Sequence, residues 1–242
     1  MKKYNISSAG LHILAMFFML LDHLWATVVP GNEWLTCAGR LAFPIFAFLI
    51  AEGAVYTRDL KKYMGRLLIA ALISEIPFNL MCSGRIFYPI HQNVLWTFLI
   101  ALCLIRWNGK KKDAPRWRRG LRWAVSALLG LVIGTVTFVD YYGFGVLMVL
   151  VFYCFRGEDW RHRLLQFLGL YWINCEMMGG LVYPIGGVEI PQQAFALLAL
   201  IPIWLYNGRK GFDRPWFRRF CYLFYPAHMI VLYLMAFMAD FG

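Results

Sequence analysis

The chain has 242 residues, 61% of them hydrophobic and only 15% charged, with a formal charge of +11 at neutral pH. Soluble domains run nearer half apolar and a quarter charged, so this composition excludes an ordinary soluble domain and points to a polytopic membrane protein. The positive charge does not mark a nucleic-acid partner either, because its placement follows membrane topology.

The first residues, MKKYNISSAG, precede an apolar run over 11–30. That run is long for a signal peptide, contains Asp22 and His23, and lacks a small-residue cleavage site, so it is expected to be a retained first span. Further runs of about 20 apolar residues follow at 35–56, 63–82, 93–107, 121–139, 141–156, 163–183, 190–206 and 219–241. The expectation is an all-α bundle of about nine transmembrane helices forming a single domain over 1–242, with connections too short for a separate soluble unit. The runs at 93–107 and 141–156 are short, which suits helices that tilt little or end at a water-filled recess.

The basic residues fit this scheme. Of the 24 Lys and Arg, all but Arg40 and Arg85 fall before span one, in the even-numbered connections or at the span ends that adjoin them, which share a side. The positive-inside rule then puts the N-terminus in the cytoplasm and the C-terminus outside. Cytoplasmic runs such as NGKKKDAPRWRRGLR read either as topology determinants or as a surface for anionic lipid head groups or cofactor phosphates. The six cysteines have no CxxC spacing and lie mostly in apolar runs, so a disulfide framework or zinc site is not expected.

Depth counted at ~1.5 Å per residue across ~30 Å of hydrocarbon places Asp22 and His23 at ~16–18 Å from the cytoplasmic face. The same count gives ~18 Å for Glu75, ~20 Å for Glu176, ~22 Å for Arg40 and ~13 Å for His228. Ionisable groups from five spans thus meet in one layer, where each is costly to desolvate, whereas Glu52 lies nearer the cytosol. His12 and His23, eleven residues apart, fall on nearly one face of their helix and form a polar stripe. Arg40 is the natural partner for Asp22, as a structural ion pair or as part of a site. Glu75 and Asn79 are i, i+4 across Pro77, and Asn93 and Thr97 repeat that spacing; His91 and Asp140 stand at the outer edge. His228 reads as an interhelical hydrogen-bonding residue or a base, and Glu176 as a site residue or part of an outer vestibule. HExxH, paired His at i, i+4, Walker, Rossmann and GxSxG patterns are absent, and no metal is expected.

LHILAMFFMLLDH, GRLAFPIFAFLIAEG, TRDLKKYMGRLLIAALISEIPFNL, QNVLWTFL, DYYGFGVL and LFYPAHMIVLY occur in this order from residue 11 to about 234. As an ordered set they resemble the TraX family. The motif residues carried by that resemblance are Asp22, His23, Arg40, Pro44, Glu52, Gly53, Arg58, Glu75, Pro77, Asn93, Asp140, Tyr141, Tyr225 and His228; Asn79 stands where many relatives are expected to have Asp. The resemblance implies an inner-membrane acetyltransferase that uses acetyl-CoA and modifies a pilin-like protein in conjugation systems. It also resembles other multispan acyltransferases, whose membrane-embedded histidine would correspond in role to His23.

On that reading acetyl-CoA phosphates dock on Arg58, Lys61, Lys62 and Arg66, with Arg106 nearby, and the pantetheine arm enters past Glu52 and His12. His23 is the general base, Asp22 orients it, Arg40 fixes Asp22 or stabilises oxyanion charge, and His228 is an alternative base. Glu75, Asn79, Asn93, Asp140 and Glu176 line the approach of an extracytoplasmic acceptor, a pilin-like protein or a glycan. Membrane lipids are the other partner. The alternatives are a proton-coupled transporter or channel using the same buried groups, and a non-catalytic assembly factor.

Overall fold

A computed structural model describes residues 6–109 and 115–239. Lys2, Lys3, Lys110, Lys111 and Lys112, which enter the charge argument, lie outside the described residues. The helices are α1 (Ser8–Thr27), α2 (Glu33–Gly39), α3 (Ala42–Tyr56), α4 (Leu60–Ser83), α5 (Val94–Gly109), α6 (Arg116–Val136), α7 (Tyr142–Cys154), α8 (Trp160–Tyr171), α9 (Leu200–Trp204) and α10 (Pro215–Ala239).

Among the described residues, five units are long and apolar enough to cross a membrane: α1, α2 with α3, α4, α6 and α10. The expected count of nine is therefore met only in part. The runs giving α5 and α7 are helical but have 16 and 13 residues, well short of the roughly 20 that a hydrocarbon core requires. The run 163–183 is not one helix. α8 passes into a π-helical turn, Trp172–Met177, and Val182–Ile185 forms strand β1, paired antiparallel with β2 (Val188–Pro191). Gly186 and Gly187, both at positive φ, make the tight turn, as a two-residue hairpin requires. A 3-10 segment, Gln192–Ala199, then leads into α9.

Local sequence accounts for the boundaries. Ser7 caps α1 by accepting from the Gly10 N–H at 3.2 Å, and Asp59 caps α4 by accepting from the Lys62 N–H at 3.0 Å. Gly84 closes α4 at φ +67°, a left-handed position that glycine takes without strain. Apart from Glu52 near its end, the α3 sequence AFPIFAFLIAEGAVY is apolar on every side, which suits a central helix; α3 packs against α1, α5, α7 and the 3-10 segment. Gly130 and Gly134 put two small residues on one face of α6. A Cβ on Gly134 would lie 2.7 Å from the Gly143 Cα, so α6 and α7 meet backbone to backbone. α10 bridges α1 and α4. The outer faces of α6 and α10 expose Leu121, Leu128, Val132, Leu223, Val231 and Met238, as helices bathed in hydrocarbon do.

The two ends of the bundle are held differently. At the basic end the Ser8 and Ala9 N–H groups donate to the Arg209 and Lys210 carbonyls at 2.9 and 3.0 Å, satisfying the first turn of α1. At the other end the Gln92 N–H donates to the Phe138 carbonyl and the Asp140 N–H to the Gln92 carbonyl, each at 2.8 Å.

Candidate functional site

The site begins where the second apolar run breaks. The helix stops at Gly39 and restarts at Ala42, leaving Arg40 at the junction of α2 and α3. Its guanidinium Nη2 pairs with Asp22 Oδ1 on α1. Thr36, one turn before Arg40, donates its hydroxyl to the same oxygen at 2.7 Å, and Arg40 returns Nη2 to Thr36 Oγ1 at 3.0 Å. Both charged side chains are largely shielded, with 14% and 20% exposure. Directed partners hold this partly buried pair: Asp22 Oδ1 accepts from both Arg40 and Thr36, and Arg40 also reaches Thr36 Oγ1.

Next to it, His23 of α1 meets His228 of α10 across 205 positions of sequence. His23 Nδ1 and His228 Nε2 are 2.7 Å apart, and His228 Nδ1 is 2.7 Å from the Phe224 carbonyl. The ring planes differ by only 7° with centroids 4.9 Å apart, as for two imidazoles meeting edge to edge. Phe224 stacks on the His228 ring at 4.9 Å, and His228 is buried. Pro226, two residues before it, interrupts the α10 ladder.

Asp140 lies on the turn before α7, within electrostatic reach of both His23 and Arg40. Phe138, Tyr141 and Tyr142 all adopt positive φ there, an arrangement costing roughly 1–2 kcal/mol per non-glycine residue. Strain of that kind persists only where surroundings enforce it. Here Thr97 donates its hydroxyl to the Asp140 carbonyl at 2.6 Å, and the Tyr141 ring lies on Phe43 with centroids 4.0 Å apart. Tyr141 is also within electrostatic reach of Arg40. Outside the bundle His91 Nε2 approaches Asp140 Oδ1 at 3.5 Å; this contact raises the His91 pKa against the opposing effect of burial.

Glu75 of α4 accepts at Oε2 from Asn93 Nδ2 and, at 3.0 Å, from Trp96 Nε1. Its other oxygen, Oε1, is buried without a hydrogen-bond partner. Asn93 also donates to the Ala71 carbonyl at 3.0 Å, so α5 is riveted to α4 beside the carboxylate.

The remaining expected residues do not join this cluster. Asn79 donates to the Ile86 carbonyl at 3.2 Å and ties down the loop after α4. Glu176 sits exposed on the π-helical turn and interacts with Tyr171. The helical run, α8 and then the π-helical turn, ends at Met177, one residue beyond Glu176. His12 Nδ1 donates to the Ser8 carbonyl at 2.8 Å. Glu52 is buried and pairs with Arg156, which also donates to the Tyr56 hydroxyl at 2.7 Å. Those three line a recess of about 150 Å³ with Arg163, Trp204 and Tyr206. Arg58, Lys61, Lys62 and Arg66 are exposed around the start of α4, and Arg106 is half-buried near the end of α5.

Several contributors were not foreseen. Thr36 and Trp96 stand one turn from residues already singled out, and that spacing could have identified them. Tyr183 and Gln192 belong to the hairpin region. Tyr183 donates to Glu33 Oε2 at 2.6 Å, and Gln192 Nε2 lies 3.2 Å from the Tyr183 hydroxyl and 3.5 Å from Thr36 Oγ1. The hairpin thereby connects through side chains to the Asp22–Arg40 pair. The alternation and double glycine in VYPIGGVEIP were its signal.

This chain is similar over nearly all its length to proteins of known name. A probable fimbrial assembly protein FimC, serogroup H1, of Dichelobacter nodosus is 26% identical, covering 96% of this chain and 96% of its own. Protein TraX of Escherichia coli is 25% identical, covering 92% of this chain and 84% of its own. No solved structure matches. The profile of the TraX protein family matches residues 7–236; the chain belongs to the TraX family.

Proposed function

We propose that the protein is an integral-membrane acyltransferase that moves an acetyl group from acetyl-CoA to an acceptor beyond the cytoplasmic membrane. The observation that carries this reading is the convergence inside the bundle of His23, His228, Asp22 and Arg40 from α1, α10 and the α2–α3 junction. An imidazole beside a fixed carboxylate–guanidinium pair can take a proton from a nucleophile while a cation stabilises developing oxyanion charge. In this reading His23 is the base, Asp22 sets the charge around it, and Arg40 holds Asp22 and faces the thioester carbonyl.

The chain crosses the membrane nine times, with the N-terminus in the cytoplasm and the C-terminus outside. The donor binds from the basic face. Arg58, Lys61, Lys62, Arg66 and Arg106 hold its phosphates there, with Glu52 and His12 along the approach of the acyl arm. Glu75, Asn93, Asp140 and Asn79 line the acceptor side; the exposed position of Glu176 leaves it at the periphery. The fimbrial name of one relative and the pilus setting of the family favour a pilin-like subunit over a glycan as acceptor.

The test is transfer by purified protein in liposomes with isotopically labelled acetyl-CoA, coupled to mass spectrometry of the cell envelope with and without the protein. The expected result is one acetylated envelope component that depends on the protein and on CoA, lost in His23→Ala. Solute flux without CoA consumption would overturn the proposal in favour of transport.

A further inference from the structure

We infer that His228 is a positioning residue rather than a second base. It locks neutral His23 as the Nδ1–H tautomer, so that the proton-accepting atom of the site is His23 Nε2. The tautomer follows from geometry alone; its use in catalysis rests on the function proposed above.

The chain of hydrogen bonds has one consistent polarity. The Phe224 carbonyl can only accept, so the 2.7 Å contact with His228 Nδ1 requires a proton on that nitrogen. A neutral imidazole carries one N–H, which leaves His228 Nε2 as a bare acceptor. The 2.7 Å approach of His23 Nδ1 to that nitrogen needs a proton between them, and only His23 can supply it. His23 Nε2 is then the one ring nitrogen of the two imidazoles with a free lone pair. A doubly protonated His228 would reverse the polarity. It is buried against Phe224, Tyr225 and the His23 ring, surroundings that do not compensate a buried charge.

The arrangement also suits the protonated intermediate. When His23 Nε2 takes a proton, Nδ1–H keeps donating to His228 and nothing has to rotate. Asp22 and Asp140 are within electrostatic reach of the resulting cation, with Arg40 opposing them. The step balances simply. The acceptor nitrogen or oxygen attacks the thioester carbonyl, and the new C–N or C–O bond forms. The C–S bond breaks, and the proton lost by the acceptor passes through His23 Nε2 to the CoA sulfur. Catalysis of this type depends on presenting the correct nitrogen, because the wrong tautomer leaves an N–H where a lone pair is needed.

The experiment is nitrogen-15 NMR of histidine-labelled full-length protein, tractable because the chain has five histidines, with His23 assigned by signals lost in His23→Gln. The expected wild-type spectrum shows His23 protonated at Nδ1 and bare at Nε2. His228→Leu removes the acceptor; it should mix or invert the His23 tautomer and lower kcat by about 100-fold, with the KM for acetyl-CoA unchanged. His228→Gln can turn its amide oxygen to His23 and its N–H to the Phe224 carbonyl, and should restore the tautomer and part of kcat. A wild-type His23 protonated at Nε2 overturns the inference, as does a folded His228→Leu protein with unaltered tautomer and kcat. Should the Leu variant not fold, the wild-type spectrum decides alone. The predicted tautomer in a protein that transfers no acetyl group would sink the proposed function and leave the positioning relationship standing.

Discussion

Gly39 and Asp22 touch so closely that the glycine has no room for a side chain: a Cβ on Gly39 would lie 2.4 Å from the Asp22 Cβ and 2.7 Å from its Oδ1. The packing of α1 against α2 and the aim of the carboxylate are thus one feature. Gly39→Ala should push Asp22 off Arg40 and Thr36. Its overpacking cost is about 1–3 kcal/mol, read as a lowered melting temperature in detergent. Acetyl transfer should fall more than stability does, because Asp22 has moved. A melting temperature and activity equal to wild type would show that the contact is not needed.

The Asp22–Arg40 pair separates structural from chemical roles. Removing one partner strands a shielded charge, so Asp22→Asn and Arg40→Gln should each destabilise, by about 3–5 kcal/mol in a fully buried setting and less here because both groups retain some exposure. The double variant strands no charge and should regain much of the loss, which a double-mutant cycle on unfolding measures. Transfer activity should not return with it. Arg40→Lys should substitute poorly, since a single ammonium nitrogen cannot span the two positions from which Arg40 donates, Nη2 to Asp22 and Thr36 Oγ1 and Nε, at 3.3 Å, to the Thr36 carbonyl.

Much of this core was legible in the sequence, for a definite reason. Depth along a span follows from counting residues, and it put Asp22, Arg40, His23 and His228 at similar levels. The azimuth of each helix in the bundle is not encoded by any local pattern. The pairing of His23 with His228, and of Glu52 with Arg156, therefore had to come from the fold. Boundaries inside apolar runs were harder still. GRLAFP broke the second run at Arg40 and Leu41, and the chain past Met177 left the helix, because tertiary contacts and glycine turns override hydropathy there.

The His91–Asp140 contact gives the outer end a pH dependence. His91 lies in the connection between α4 and α5 and its pKa is raised, chiefly by the hydrogen bond with Asp140 and further by the charges of Asp140 and Glu75. A raised folded-state value means that the stabilisation is complete below the unfolded pKa of about 6.5 and is lost as pH rises through the folded value. Melting temperatures of wild type and His91→Gln should differ most in mild acid and converge in alkali. Because the pair is more than a third exposed on the His91 side, salt should shrink the difference. A gap that widens with rising pH would contradict the assignment.

The number of crossings can be decided at two positions. α5 begins beside Asp140, through Thr97, and ends where Asn108 Nδ2 donates to Ser126 Oγ of α6 at 2.6 Å and Arg122 donates to the Asn108 carbonyl at 2.8 Å. It therefore runs from the polar layer to the basic end although its 16 residues give only ~24 Å of helix. α7 returns over the same interval with 13 residues. Short helices can still complete a crossing where polar turns such as Gln92–Asn93 and Val139–Tyr141 occupy a recess shielded by the longer helices. Single cysteines at Trp117 and Gly186, introduced after removing the native six, report the answer through a membrane-impermeant maleimide. With a cytoplasmic N-terminus, nine crossings put residue 117 inside and residue 186 outside. Five crossings, by α1, α2–α3, α4, α6 and α10 alone, put them the other way round. Labelling of residue 186 and protection of residue 117 in intact spheroplasts is the expected result, and the reverse pattern would place the start of α6 outside and detach the basic connection before it from any cytosolic donor.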